Sequence, residues 1–161
     1  MNISLVEKDT NEIQLIKPLW EKLNLIHFDN SVYFKSKYEK FTFEKRMESI
    51  NRKSKNGIVK LDVILDNDTM EYVGYCLSSI EDNIGEIESI FIEKQYRRYK
   101  LGDKLMVNAL NWFKSNSITD IQINVVFAND EAIPFYMRYG FYIGNYILKR
   151  TWYLRHNLKL L

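Results

Sequence analysis

Two blocks of this sequence hold the residues best suited to chemistry. The first runs Arg97-Arg98-Tyr99-Lys100-Leu101-Gly102-Asp103-Lys104, a basic turn that leads into a helical pattern. The first turn of a helix offers unpaired N–H groups and the positive end of the helix dipole, and anionic phosphate binds there. Gly102 permits close backbone approach, and Arg97, Arg98, Lys100 and Lys104 add positive charge. A solvated basic turn ahead of an ordinary helix would look the same, so this block alone leaves both readings open. The spacing matches neither the P-loop nor the dinucleotide fingerprint. The second block, 129–141, contains Tyr136. A phenol with a pKa of about 10 can donate to a thiolate whose parent thiol lies near about 8.5. With Phe135 and Tyr139 beside it and 11 tyrosines in the chain, a core aromatic is the other reading. Upstream, Glu86 and Glu88 flank Ile87 on a predicted strand and share one of its faces. Either carboxylate could take up a proton, directly or through a water, or simply face solvent. The backbone N–H of Ile90, farther along that strand, could meet developing negative charge.

The remaining candidates carry less. His27 and His156 are isolated and lack metal-ligand spacing, so no metal site is expected. Asp62, Asp66 and Asp68 read as the acidic end of a hairpin. Cys76 is the single cysteine, inside an apolar run, and is expected to be a buried, inert thiol. A net charge of +2 gives no ground for nucleic acid or a membrane surface as partner. No apolar run approaches the roughly 20 residues of a membrane span, and no signal-peptide pattern opens the chain. A cytoplasmic location is expected.

The elements that must position these residues follow from periodicity. At 161 residues, 46% of them hydrophobic and 27% charged, the chain suits a single domain spanning 1–161. Strands are expected at 3–6, 59–65, 71–80, 86–92, 121–127, 141–143 and 147–154. Helices are expected at 11–30, 41–52, 101–116 and from Asn129 or Asp130, as cap, to 138. The order β-α-α-β-β-β-α-β-α-β-β predicts an α/β fold, a mixed sheet with helices on its faces. An exposed edge near Tyr146 to Tyr153 could pair two subunits as a homodimer.

A family resemblance joins the two blocks. Arg97-Arg98-Tyr99-Lys100-Leu101-Gly102 is similar to the Arg/Gln-x-x-Gly-x-Gly/Ala signature of the GNAT N-acetyltransferase superfamily. Asn129-x-x-Ala132 with Phe135-Tyr136-x-x-x-Gly140-Phe141 resembles its second conserved block. Lys100 departs from the signature, standing where its first glycine would be, which bears on the tightness of the turn. The resemblance implies the GNAT fold, a mostly antiparallel sheet whose strands 86–92 and 121–127 splay apart. It implies acetyl-CoA as co-substrate, with the pantetheine arm against Ile90, Phe91 and Ile92 and the pyrophosphate on residues Arg97 to Asp103. Asn129 would contact the arm. Tyr136 would be the general acid and Glu88 or Glu86 the base, Glu88 being nearer the thioester. The segment with Tyr33, Phe34, Tyr38, Phe41 and Phe43 would line the pocket for a small-molecule or peptide amine. Two other functions remain in view, a coenzyme A-binding module without catalysis and an acetyltransferase acting on peptide N-termini or lysines.

Overall fold

The computed structural model describes residues 2–127 and 129–150. Strand β1 (Ile3–Lys8) is followed by a 3₁₀ segment (Thr10–Ile16), then helices α1 (Lys17–Asn30), α2 (Lys35–Glu39) and α3 (Phe43–Asn56). Strands β2 (Ile58–Asp66), β3 (Glu71–Glu81) and β4 (Ile84–Ile92) come next, then helix α4 (Leu101–Ser115), strand β5 (Asp120–Ile123) and helix α5 (Ala132–Met137). The sheet runs in the order β1-β2-β3-β4-β5. Its first four strands are antiparallel neighbours, and β4 and β5 are parallel. The α/β sheet expected from the sequence is therefore present.

Local chemistry sets the element boundaries. Asp9 and Glu12 form a capping box at the 3₁₀ segment. Pro18 then falls in the first turn of α1, where its missing N–H costs nothing. The predicted helix over 11–30 thus divides into two pieces. Thr42 caps α3 through its hydroxyl, which accepts from the Lys45 N–H at 3.3 Å. The short helix α2 was not expected, since 5 residues are too few to show a helical period.

Both faces of the sheet are covered. On one, Leu61, Val63, Tyr75 and Leu77 pack against Ile16, Trp20, Phe43 and Ile50 of the first helical layer. On the other, Ile64, Cys76 and Ile87 pack under Leu101, Leu105, Ala109 and Phe113 of α4. Burying each such large side chain contributes about 2 kcal/mol. At Gly85 strand β4 passes close under α4, and an added Cβ would lie 2.7 Å from the Phe113 ring. Burial pushes the Cys76 thiol up to about 12, consistent with the inert role expected of it. No helix among the described residues is long and apolar enough to cross a membrane.

The last part of the chain departs from expectation. Residues 141–150 form no strand, and Tyr142, Tyr146, Ile147 and Leu148 are exposed. The strand expected at 141–143 is absent, and so is the 147–150 part of the next one. Residues 151–154 lie outside the described residues. The proposed pairing edge from Tyr146 therefore has no strand under it as far as residue 150. Short apolar and aromatic runs satisfy a strand pattern here, but among the described residues no strand pairs with them, and the pattern alone does not supply a partner.

Candidate active site

The site is built on a defect in β4. Pairing with β3 runs Leu77 to Ser89 and then Ser78 to Ile87, so Glu88 is an extra residue, a β-bulge. On its other side β4 pairs with β5 for four residues only, Ile84 to Ile87 against Asp120 to Ile123. Beyond the bulge the two strands part. The strand expected over 121–127 stops at Ile123 for this reason. The chain then turns, with the Asn129 N–H donating to the Val126 carbonyl at 3.0 Å.

Below the parting lies the start of α4. Arg98 (φ 70°) and Lys100 (φ 58°) both adopt left-handed backbone, flanking Tyr99. Lys100 is the N-cap and makes no side-chain cap bond. Its conformation is the one a glycine would adopt freely, so the turn keeps the signature's shape at the cost of strain in a residue with a Cβ. Lys100→Gly should therefore stabilise the fold by up to about 1 kcal/mol, read as a raised midpoint in urea unfolding. An unchanged or lowered midpoint would show that the turn is not strained. The first Lys104 bond of the helix is its N–H to the Lys100 carbonyl at 3.1 Å, which leaves the N–H groups of Leu101, Gly102 and Asp103 as the helix's unpaired first donors.

A groove of about 810 Å³ joins the two features. Of the residues expected to hold a cofactor, Ile90–Ile92, Arg97, Arg98, Lys100–Asp103, Asn129 and Tyr136 line it. Tyr99 and Lys104 do not, and both side chains are exposed. The left-handed residues on either side turn Tyr99 outward, and Lys104 lies on the solvent side of α4. Arg97 is partly committed, donating from Nε to the Ile92 carbonyl at 3.1 Å and lying over the Phe91 ring. Asp103 accepts from the Tyr139 hydroxyl and, at 3.1 Å, from Arg138, which ties α5 to the first turn of α4. Neither Asn129 nor Asp130 caps α5. Its N-cap is Glu131, without a side-chain bond, and the Asn129 carbonyl accepts from the Ala132 N–H instead.

Tyr136 reaches the junction from α5, its ring edge-on to Phe135 and Phe141. Burial, with a smaller contribution from Cys76, pushes its phenol up to about 12, so it keeps its proton at neutral pH. A smaller cavity of about 60 Å³ sits between the parted strands, bordered by Tyr136, Glu88, Ser89, Asn124 and His27. Two buried hydroxyls, Tyr75 Oη and Ser89 Oγ, face one another closely enough to interact, and neither has a hydrogen bond to any other group among the described residues.

Glu86 and Glu88 do share a face, but both carboxylates are engaged. Glu88 accepts from Arg46 at 2.8 Å and from the Ser79 hydroxyl at 2.5 Å, and it pairs with Lys53. Lys53 also meets Glu86 at 2.6 Å, and Asn124 donates to Glu86 at 2.8 Å. Burial raises the Glu86 pKa, but its bonds with Lys53 and Asn124 outweigh this and bring it below the ordinary value. Glu88 borders the small cavity, whereas Glu86 borders neither space.

Sequence reasoning missed three of these side chains. Arg46 and Lys53 come from α3, and no local pattern links them to β4. His27 was considered only as a metal ligand. In the structure it borders the cavity with its ring against Tyr38, and burial, helped by Lys37, holds its pKa down at about 4. It is a neutral imidazole at physiological pH.

The family model described as "Acetyltransferase (GNAT) family" matches residues 20–141. The chain belongs to the GNAT acetyltransferase family. Solved structures with the same GNAT fold include PaiA N-acetyltransferase from Thermoplasma acidophilum in complex with coenzyme A. Its TM-score is 0.67, at 17% identity over 86% of this chain and 89% of that one. Glucosamine-6-phosphate N-acetyltransferase from Arabidopsis thaliana gives 0.63 at 16% identity over 94% and 99%. A GNAT-family acetyltransferase from Staphylococcus aureus Mu50 gives 0.67 at 18% identity over 86% and 83%. At these identities the likeness is one of fold. No curated protein matches the chain in sequence.

Proposed function

We propose that this protein moves an acetyl group from acetyl-CoA to a primary amine, which attacks the thioester directly while both substrates are bound. One observation carries the reading. The N-terminus of α4 and the parting of β4 from β5 open into one groove, with Tyr136 at their junction. A helix start suits a diphosphate, and a parted strand edge suits an amide-rich arm that needs backbone partners. The coenzyme A named in the Thermoplasma structure supports the choice of donor.

In this reading the pyrophosphate lies on the N–H groups of Leu101 to Asp103, with Arg97, Arg98 and Lys100 around it. The pantetheine arm runs along Ile90 to Ile92, beside Asn129. The Ile90 N–H meets the thioester oxygen. As the C–N bond forms and the C–S bond breaks, Tyr136 protonates the departing thiolate. The amine proton leaves toward the side carrying Glu88, with Glu86 behind it. Both carboxylates are already engaged by Arg46 and Lys53, and these bonds leave Glu86 a weaker base than an ordinary carboxylate, which favours an amine that arrives already neutral. The acceptor is a small molecule or a peptide amine, and the site of action is the cytoplasm.

Calorimetric titration with acetyl-CoA, followed by a thiol-release assay across a panel of primary amines, tests the proposal. The expected result is saturable binding and amine-dependent release of thiol. Binding with no turnover on any amine would assign a non-catalytic role, and no binding would remove coenzyme A from the account.

A further inference from the structure

A bulge creates a backbone problem. The extra residue falls out of the ladder, and its carbonyl needs another donor. Here the extra residue is Glu88, and the donor is Arg46 of α3, whose Nη2 lies 3.0 Å from the Glu88 carbonyl oxygen. The same Nη2 also meets the Glu88 carboxylate at 2.8 Å. Arg46 therefore grips one residue at two points, main chain and side chain. Lys53 and Ser79 hold the other carboxylate oxygen. Of the groups around Glu88, Arg46 is the one for which a bond to the bulge's main chain is found.

An ion pair formed only for stability would need the carboxylate alone. The carbonyl contact does something different. A peptide group is planar, so fixing the Glu88 carbonyl fixes the plane of the 88–89 peptide and the direction in which the strand continues. The strand continues into Ser89 and Ile90, at the place where pairing with β5 has ended.

We propose that Arg46 is a positioning residue for acetyl transfer. By holding the bulge at Glu88 it aims the Ile90 N–H at the thioester oxygen and keeps β4 parted from β5. This rests on the function proposed above. Without the grip the Glu88 peptide is free to rotate back toward the ladder, and the N–H loses its aim. A donor pointed at a carbonyl must already be in place to be effective, so a small rotation should cost carbonyl recognition before it costs the fold.

The test compares acetyl-CoA with S-ethyl-CoA, a thioether in which a methylene replaces the carbonyl, so no acceptor need be known. Each is titrated calorimetrically into the full-length wild-type protein, R46M and R46K. Wild type should bind acetyl-CoA about fivefold more tightly than S-ethyl-CoA, the size of one ordinary hydrogen bond. R46M should bring the two within about twofold, mostly through weaker acetyl-CoA binding. R46K keeps a donor, so it should recover part of the preference, and it supplies the test should R46M not fold. If R46M, or R46K in its place, keeps the full preference or weakens both ligands equally, Arg46 is only a structural ion-pair partner. A wild type that binds both ligands equally would overturn the Ile90 assignment and this proposal with it. Failure to bind either ligand would instead overturn the proposed function.

Discussion

Tyr136→Phe should leave the protein folded and able to bind acetyl-CoA while lowering turnover by about two to three orders of magnitude, the size of a general-acid contribution. The variant removes one oxygen and keeps the ring, so its edge-on contacts with Phe135 and Phe141 survive. Burial holds the phenol near a pKa of about 12, so the proton stays on Tyr136 through the physiological range and is there to be given. The thiolate it would protonate has a parent thiol near about 8.5, and a hydroxyl at the junction of groove and cavity is placed to reach it. Tyr139 is the instructive contrast. Its phenol is also raised to about 12, by burial and by its bond to Asp103, but that bond uses it to dock α5 on α4. A raised pKa thus does not separate the two phenols, whereas position at the cavity does, and it is on that position that the proposed role of Tyr136 rests. The measurement is the steady-state rate of thiol release beside the calorimetric affinity for acetyl-CoA. Turnover within about threefold of wild type would remove Tyr136 from the chemistry.

What could be read from the sequence was whatever local pattern encodes. The amphipathic repeat of Leu101, Leu105, Ala109 and Phe113 gave α4, and the cationic turn ahead of it lines one end of the groove. Tyr136 was set apart by its frame with Gly140 and Phe141, because composition favours an ordinary core aromatic. The length of β5 was not legible. A bulge two residues before Ile90 ends its pairing, and nothing within 121–127 reports an event on another strand. Lys100 read as a departure from the signature because type alone suggested a poor fit. The backbone adopts the left-handed conformation regardless, with φ at 58°. The partners of Glu86 and Glu88 were invisible for the plainest reason. Arg46 and Lys53 lie 33 to 42 residues away in sequence, and only tertiary packing of α3 on the sheet brings them to β4.

That network sets up the second large effect. Glu88→Ala should destabilise the fold by about 3 kcal/mol, because it strips a buried carboxylate from Arg46, Lys53 and Ser79 together. The Glu88 side chain is 2% exposed and its cationic partners 16% and 17%, so water offers them little compensation. The pH dependence follows from the remaining members. Lys53 is lowered by burial but raised further by Glu86 and Glu88, for a net rise above its ordinary value. A raised base stabilises the fold fully below the unfolded pKa, near 10.5, and loses that stabilisation as pH climbs through the folded value. Glu86 is depressed, so its contribution is complete above about 4.5 and fades as pH falls through the lower folded value. The stability gap between wild type and Lys53→Met should therefore be flat between about pH 5 and 10 and shrink outside it, as read from urea midpoints. Glu88→Gln then separates structure from chemistry, since it keeps the shape and removes the charge. A loss of stability with turnover preserved per folded molecule makes Glu88 an anchor for the bulge. Turnover falling a hundredfold in a variant that still melts near the wild-type temperature would make it the base.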